Sequence, residues 1–228
     1  MSERVALVTG ASGGLGTHVS RALVDAGYAV AGLARQAPAL KPPHPAFLSL
    51  EADLSSVDSA EKAVEAVFAR FQRIDVLAHL VGGFSGGKTI DETDEATWNQ
   101  MFAANVTSAF HVFRAAVPLM RRTGGGRIIA IGARLAVEPA AKAGAYAASK
   151  AALVSLVRTL AAENKAAGIT ANVLLPGTMD TPANRQAMAG ADFSRWVQPG
   201  SVASLVVWLG SEAGKDVSGA AIPVYGGG

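Results

Sequence analysis

The run Val5-Ala6-Leu7-Val8-Thr9-Gly10-Ala11-Ser12-Gly13-Gly14-Leu15-Gly16 decides the fold. Its first five residues are mostly apolar and β-prone, the next five are small, and from Leu15 the apolar residues Leu15, Val19, Ala22, Leu23 and Ala26 recur at helical spacing. Strand, glycine turn and amphipathic helix thus follow one another without a gap. A helix N-terminus carries free N–H groups and a positive dipole end, and residues without side chains at Gly10, Gly14 and Gly16 let a pyrophosphate approach the backbone. Glycine triplets also serve as plain flexible turns. The order of elements is what makes this one read as a dinucleotide cradle.

Outward from that unit the alternation continues. Ala29 to Ala34 reads as a second strand, and the stretch from Gln36 to Pro45, with Pro38, Pro42, Pro43 and Pro45, reads as an exposed loop. Phe47 to Leu50 is a short strand, Ser56 to Phe71 a helix with Val57, Ala60, Val64, Val67, Phe68 and Phe71 inward, and Ile74 to Leu80 a strand. Residues 93–121 read as one long helix, Arg127 to Ile131 as a strand, residues 144–167 as a second long helix and Ile169 to Leu175 as a strand. Small helices are expected at Pro182 to Gly190 and Val202 to Gly210, with a last strand from Ala220 to Val224. Strands and helices alternating at this spacing predict an α/β fold, a Rossmann-like doubly wound parallel sheet with helices on both faces.

Bulk properties agree with one such domain over residues 1–228. Half the residues are hydrophobic and 17% are charged, as a sheet buried on both faces requires. The formal net charge is +2 and no Lys- or Arg-rich stripe with interleaved aromatics occurs, so nucleic acid is not an expected partner. The chain has no cysteine, which excludes disulfides, thiolate catalysis and cysteine-based zinc sites and accords with a reducing compartment. The first strand begins almost at residue 4, leaving no room for a signal peptide, and no apolar run is long enough to span a bilayer, so a soluble cytoplasmic protein is expected. His18, His44, His79 and His111 are scattered without ligand spacing, and no metal is expected; His79, at a strand end near the cradle, reads as structural. The two long helices are apolar around most of their circumference, with Phe102, Val106, Phe110, Phe113 and Val117 on one and Leu153, Val154, Leu156, Val157 and Leu160 on the other. One sheet face cannot cover that much. A homodimer or homotetramer built on helices 93–121 and 144–167 is one reading, an unusually apolar monomeric core the other.

Tyr146 and Lys150 stand one helical turn apart in Tyr146-Ala147-Ala148-Ser149-Lys150. An ammonium on the same face, helped by the positive charge of a bound cofactor, is expected to draw the phenol down from its usual value near pH ~10 toward the working pH, which makes a general acid. A surface pair of cation and phenol is the alternative.

Taken together, Thr9-Gly10-x-x-x-Gly14-x-Gly16, Asp53-Leu54, Asn105-Val106, Tyr146-x-x-x-Lys150 and Asn172-x-x-x-Pro176-Gly177-x-x-x-Thr181 resemble the short-chain dehydrogenase/reductase family over essentially the whole chain. The resemblance implies an NAD(P)-dependent oxidoreductase acting on a small molecule. It assigns the pyrophosphate to Gly10, Ser12, Gly14, Leu15 and Gly16, the adenine to Asp53 and Leu54, the nicotinamide side to Pro176, Gly177 and Thr181, and further cofactor contacts to Gly82, Tyr146 and Lys150. It makes Tyr146 the proton donor, Lys150 the group that holds the ribose and lowers the phenol's pKa, and Asn105 the residue that kinks its helix and keeps a water for proton relay. A helix N-cap is the other reading of Asp53, and a plain buried asparagine that of Asn105. Beyond the second strand stand Ala34 and Arg35 where an acid would bind a ribose 2′-hydroxyl, which favours NADP(H) over NAD(H), with a solvated loop arginine as the alternative.

Two departures from the family pattern carry information. His79-Leu80-Val81-Gly82 replaces the usual Asn-Asn-Ala-Gly, and thirteen positions before the tyrosine Ala133 replaces the serine that helps bind a substrate oxygen. Losing such a donor costs a carbonyl reduction about 2–4 kcal/mol of transition-state stabilisation, unless Arg134 supplies one. Ser149 is expected to point elsewhere. A narrower resemblance, in Gly82-Gly83-Phe84-Ser85-Gly86-Gly87, Gly132-Ala133-Arg134, Leu175 to Arg185 and Ala191 to Trp196, is to the dihydropteridine reductase branch, which likewise lacks the serine and implies a quinonoid dihydropterin substrate. Phe84 and Trp196 then flank a flat substrate beside Ala133 and Arg134, or else pack the core and anchor a lid. Asn105 and the intact Pro176-Gly177 look like the wider family. The rival readings are a ketone or alcohol oxidoreductase that manages without the serine, and a non-catalytic NAD(P)-binding sensor or scaffold.

Overall fold

Along β1 (Val5–Thr9) every residue is buried, and alternate side chains enter opposite cores: Leu7 joins one apolar cluster, Ala6 and Val8 the other. A strand wrapped on both faces requires helices on both sides of the sheet. The computed structural model, which describes residues 4–226, has them. β2 (Ala29–Ala34), β3 (Phe47–Glu51), β4 (Val76–His79), β5 (Gly126–Ile131), β6 (Ile169–Pro176) and β7 (Ala221–Val224) complete a seven-stranded parallel sheet in the order β3-β2-β1-β4-β5-β6-β7. This is the Rossmann-like sheet predicted, with its switch in strand order between β1 and β4.

On one face lie α1 (Gly16–Asp25) and α7 (Pro199–Gly210), burying Val19, Leu23, Val202 and Val206 against Val8, Val30, Ile129 and Leu174. On the other lie α2 (Val57–Phe71), α3 (Glu95–Phe102), α4 (Ser108–Arg122) and α5 (Gly144–Asn164), whose Val64, Val67, Val112, Phe113, Leu153 and Val157 cover Leu7, Leu33, Leu77, Ile128 and Val173. Each such apolar side chain removed from water contributes about 1.5–3 kcal/mol. A short helix, α6 (Pro182–Ala187), follows β6. Among the described residues no helix is long and apolar enough to cross a membrane.

Three sequence expectations change. The long helix expected over 93–121 is broken: Asp94 caps α3 by accepting from the Thr97 N–H, and a π-helical turn, Ala103–Thr107, separates α3 from α4. Within it Asn105 is fully buried, and Ser108 donates to the Ala104 carbonyl at 2.7 Å, a local bond that competes with the regular ladder. The Gln36 to Pro45 loop is not exposed throughout, since Pro38 and Leu40 are buried and Leu40 belongs to the α1–α7 core. Ser56, read as the first helical residue, is instead the N-cap of α2 and accepts from the Ser59 N–H.

Candidate active site

The glycine turn, Arg35, Asp53, Leu54, Gly82, Ala133, Arg134, Pro176 and Gly177 sit at or just past the carboxyl ends of strands, the edge where open parallel sheets bind ligands, whereas Asn105 comes from the π-helical turn and Tyr146 and Lys150 from α5. After β1, the chain turns through Gly10 at φ 68° and enters α1 at Gly16. A Cβ at Gly16 would lie 2.1 Å from the Gly10 carbonyl oxygen, so only glycine permits the helix to start this close to the strand. Ser12, Gly13 and Gly14 are exposed on the turn, Leu15 is buried beneath it, and α1 has no side-chain cap. The N-terminus of α1 is thus left without a side-chain partner, the condition under which a helix start can receive an anion. A Cβ on Gly14 would come within 3.0 Å of Thr181, which caps α6 through its hydroxyl at 3.3 Å from the Asn184 N. The first glycine loop and the segment after β6 are thereby brought together.

Arg35 is exposed immediately after β2 and Asp53 is exposed after β3. Asp53 does not cap α2. Its Oδ1 accepts from the Ser55 N–H at 3.0 Å and the Ser55 hydroxyl at 2.8 Å, bonds that with the Arg35 charge hold its carboxyl below the usual range. Leu54 is buried, its carbonyl 3.1 Å from His111 Nδ1.

The catalytic candidates converge on the turn after β4. Asn105 Oδ1 accepts from the Gly83 N–H at 2.9 Å, while its Nδ2 donates to the Gly83 carbonyl and to Ser149 Oγ, each at 3.0 Å. Gly82 lies between Asn105 and Lys150: a Cβ there would be 2.7 Å from Asn105 Oδ1 and 2.9 Å from Lys150 Nζ. Lys150 is buried on α5, and its Nζ donates to the Ile131 carbonyl at 2.8 Å. Burial pushes this lysine down to about 8 and pushes the Tyr146 phenol up to about 12. Lys150 by itself does not draw the phenol down as expected, because loss of water around Tyr146 outweighs any attraction from an ammonium turned toward Ile131.

Of the substrate candidates, Phe84 is 67% exposed and stands edge-on to Tyr146, ring centroids 4.9 Å apart. Ala133 is 7% exposed and presents only a methyl group. The Arg134 Nε donates to Glu138 at 2.7 Å and its guanidinium lies 4.8 Å from the Tyr225 ring centroid, so it is engaged away from the donor role considered for it. Trp196 packs on Phe193 at 4.7 Å rather than on Phe84. Pro176 ends β6, and Gly177 donates its N–H to the Val224 carbonyl.

Sequence reading missed Ser149 as a part of this network, and left His79 as a structural residue. His79 is fully buried on β4, with Nδ1 3.1 Å from Thr9 Oγ1 and its ring edge-on to Phe113, while Nε2 has no hydrogen-bond partner among the described residues. Burial and then the Lys150 charge push it down to about 3. Its place where the family has asparagine was the available signal. Among the described residues no cluster of three or more histidine, aspartate or glutamate side chains is placed to hold a metal.

A glycine cradle at a helix start, opposite a tyrosine and a buried lysine at the same sheet edge, defines a dinucleotide-dependent oxidoreductase class of site. The chain matches the short chain dehydrogenase family over residues 4–192 and belongs to the short-chain dehydrogenase/reductase family of NAD(P)-binding oxidoreductases. It is 32% identical to the rhamnolipids biosynthesis 3-oxoacyl-[acyl-carrier-protein] reductase of Pseudomonas aeruginosa, across the whole of this chain and 96% of that one. A short-chain type dehydrogenase/reductase from Mycobacterium ulcerans superposes with a TM-score of 0.92 at 27% identity, covering all of this chain and 90% of the other. A 3-ketoacyl-(acyl-carrier-protein) reductase from Brucella melitensis, solved with NADH, shares the fold at a TM-score of 0.90 and 24% identity over 100% and 99% of the two chains.

Proposed function

We propose that the chain is an NAD(P)H-dependent reductase of a conjugated imine of the quinonoid dihydropterin type, with Tyr146 as proton donor. The observation that carries the substrate class is Ala133, a buried methyl where a carbonyl-reducing site would present a hydroxyl. When bound, the nicotinamide supplies a hydride to the substrate. The chain's own residues do the rest: Gly10, Ser12, Gly14, Leu15 and Gly16 bind the pyrophosphate, Asp53 and Leu54 border the adenine, and Gly82, Pro176, Gly177 and Thr181 border the nicotinamide. The ammonium of Lys150 holds the ribose. Tyr146, protonated throughout the neutral range by its burial, gives its proton to the substrate nitrogen. The exposed face of Phe84 beside Tyr146 offers a flat ring a stacking surface. Arg35, with no acid at the end of β2, favours NADPH by pairing with a 2′-phosphate.

The test is NADPH and NADH oxidation in parallel against quinonoid dihydropterin and a 3-oxoacyl thioester. Saturable turnover of the pterin, faster with NADPH, is the expected result; turnover confined to the thioester overturns it. That second reading, a carbonyl reductase, is favoured by the 32% identity to the Pseudomonas aeruginosa reductase.

The chain is further proposed to act as a homodimer or homotetramer through α3, α4 and α5, because Trp98 and Phe110 stand 44% and 48% exposed on that side. Sedimentation velocity of the wild type and Phe110→Glu tests it: an assembly lost in the variant supports it, and a monomer in both refutes it.

A further inference from the structure

The Asn105 amide is divided between two neighbours. Gly83 takes its oxygen and one amide proton, at 2.9 and 3.0 Å, which fixes the direction the amide faces. The second proton goes to Ser149 Oγ at 3.0 Å, and Ser149 donates its own to the Tyr146 carbonyl at 2.8 Å. Asn105 and Ser149 are both fully buried, so neither bond can be replaced by bulk water. Ser149 thus ties the π-helical turn to the helix that carries Tyr146 three residues before it and Lys150 one residue after it.

The tie bears on the site because Gly82 is squeezed between Asn105 Oδ1 and Lys150 Nζ, which leaves no slack in their separation. A serine kept only for close packing would do as well as alanine. This one closes a hydrogen-bonded path from Gly83 through Asn105 to the backbone of Tyr146.

We infer that Ser149 is a positioning residue, whose hydroxyl holds the π-helical turn of Asn105 in register with the Tyr146–Lys150 helix and so sets the seat of the ammonium and phenol. The inference rests on the proposed reductase chemistry. Its test uses the full chain, with NADPH and quinonoid dihydropterin, in wild type, Ser149→Ala, Ser149→Thr and Tyr146→Phe. Ser149→Ala is expected to lower kcat on the order of tenfold, as small misplacements of reacting groups do, with KM for NADPH within roughly twofold of wild type. Ser149→Thr restores most of the loss. In an Asn105→Ala background, Ser149→Ala has little further effect, since the two residues act through one bond. A Ser149→Ala enzyme with wild-type kcat and pH profile overturns the inference, as does an equal loss in the Asn105→Ala background; the latter decides the matter if the threonine variant does not fold. Should wild type fail to reduce the pterin, the proposed substrate falls instead. Ser149 is then judged by ultraviolet titration of the Tyr146 phenol, taken as the difference between each protein and its Tyr146→Phe counterpart. A midpoint moved by about half a pH unit or more in Ser149→Ala supports the role, and an unmoved one refutes it.

Discussion

At the scale of single residues, the site sets two opposed titrations side by side. Tyr146 is pushed up to about 12 and Lys150 down to about 8, both by burial. The phenol therefore keeps its proton at neutral pH, while the ammonium is lost as pH rises through about 8. Cofactor affinity is accordingly expected to be flat below that pH and to fall above it, read as KM for NADPH across a pH series. Tyr146→Phe removes the proton donor and should lower kcat by about 10²–10⁴-fold with cofactor binding intact, measured by fluorescence titration. Ala133→Ser tests the missing hydroxyl directly. It should raise kcat/KM for a simple ketone by about tenfold or more, and a variant no better than wild type would show that the absent donor does not set the substrate class.

At the scale of elements, the strand, glycine turn and helix of residues 5–26 were legible because each local signal agreed with its neighbours, and the parallel, doubly wound character of the sheet followed from alternation. The π-helical turn could not be read from periodicity, since Ala103–Thr107 carries the same apolar period as the helices around it and differs only in how its backbone bonds close; only the family resemblance pointed to a kink at Asn105. Leu40 was hidden by the prolines around it, which announce a loop but not where it packs. The bonds from Gly83 to Asn105 and from Asn105 to Ser149 join residues 22 and 44 apart, beyond any local pattern. These contacts make the turn after β4 intolerant of bulk. Gly82→Ala drives a methyl against Asn105 Oδ1 and Lys150 Nζ, and overpacking of this kind costs about 1–3 kcal/mol, a few degrees of Tm for a chain of this length. Activity should fall further than stability, because the displaced groups are those that hold and protonate. Gly190→Ala is the control: a Cβ there meets nothing within 4 Å, so calorimetry and turnover should match wild type.

At the scale of the whole molecule, the sheet encloses a histidine that it can keep only in neutral form. His79 lies in the central strand β4, sealed between Thr9 and Phe113, and burial together with the Lys150 charge pushes it down to about 3. An unfolded chain binds a proton at that position below its ordinary value of 6.5. Between those two pH values the unfolded state holds more protons than the folded state, so stability falls as the solution is acidified, by about 1.4 kcal/mol per pH unit for one such group. Above pH 6.5 both states are neutral there and the contribution is complete. Replacing His79 by asparagine, the residue the family commonly carries at this place, removes the titration while keeping a side chain able to bond Thr9. Urea unfolding of the two proteins from pH 4 to 7 should therefore give curves that converge or cross as pH falls, the wild type losing stability more steeply. Parallel slopes would mean that His79 takes up its proton without unfolding the sheet, and that the acid sensitivity of the molecule lies in its carboxylates instead.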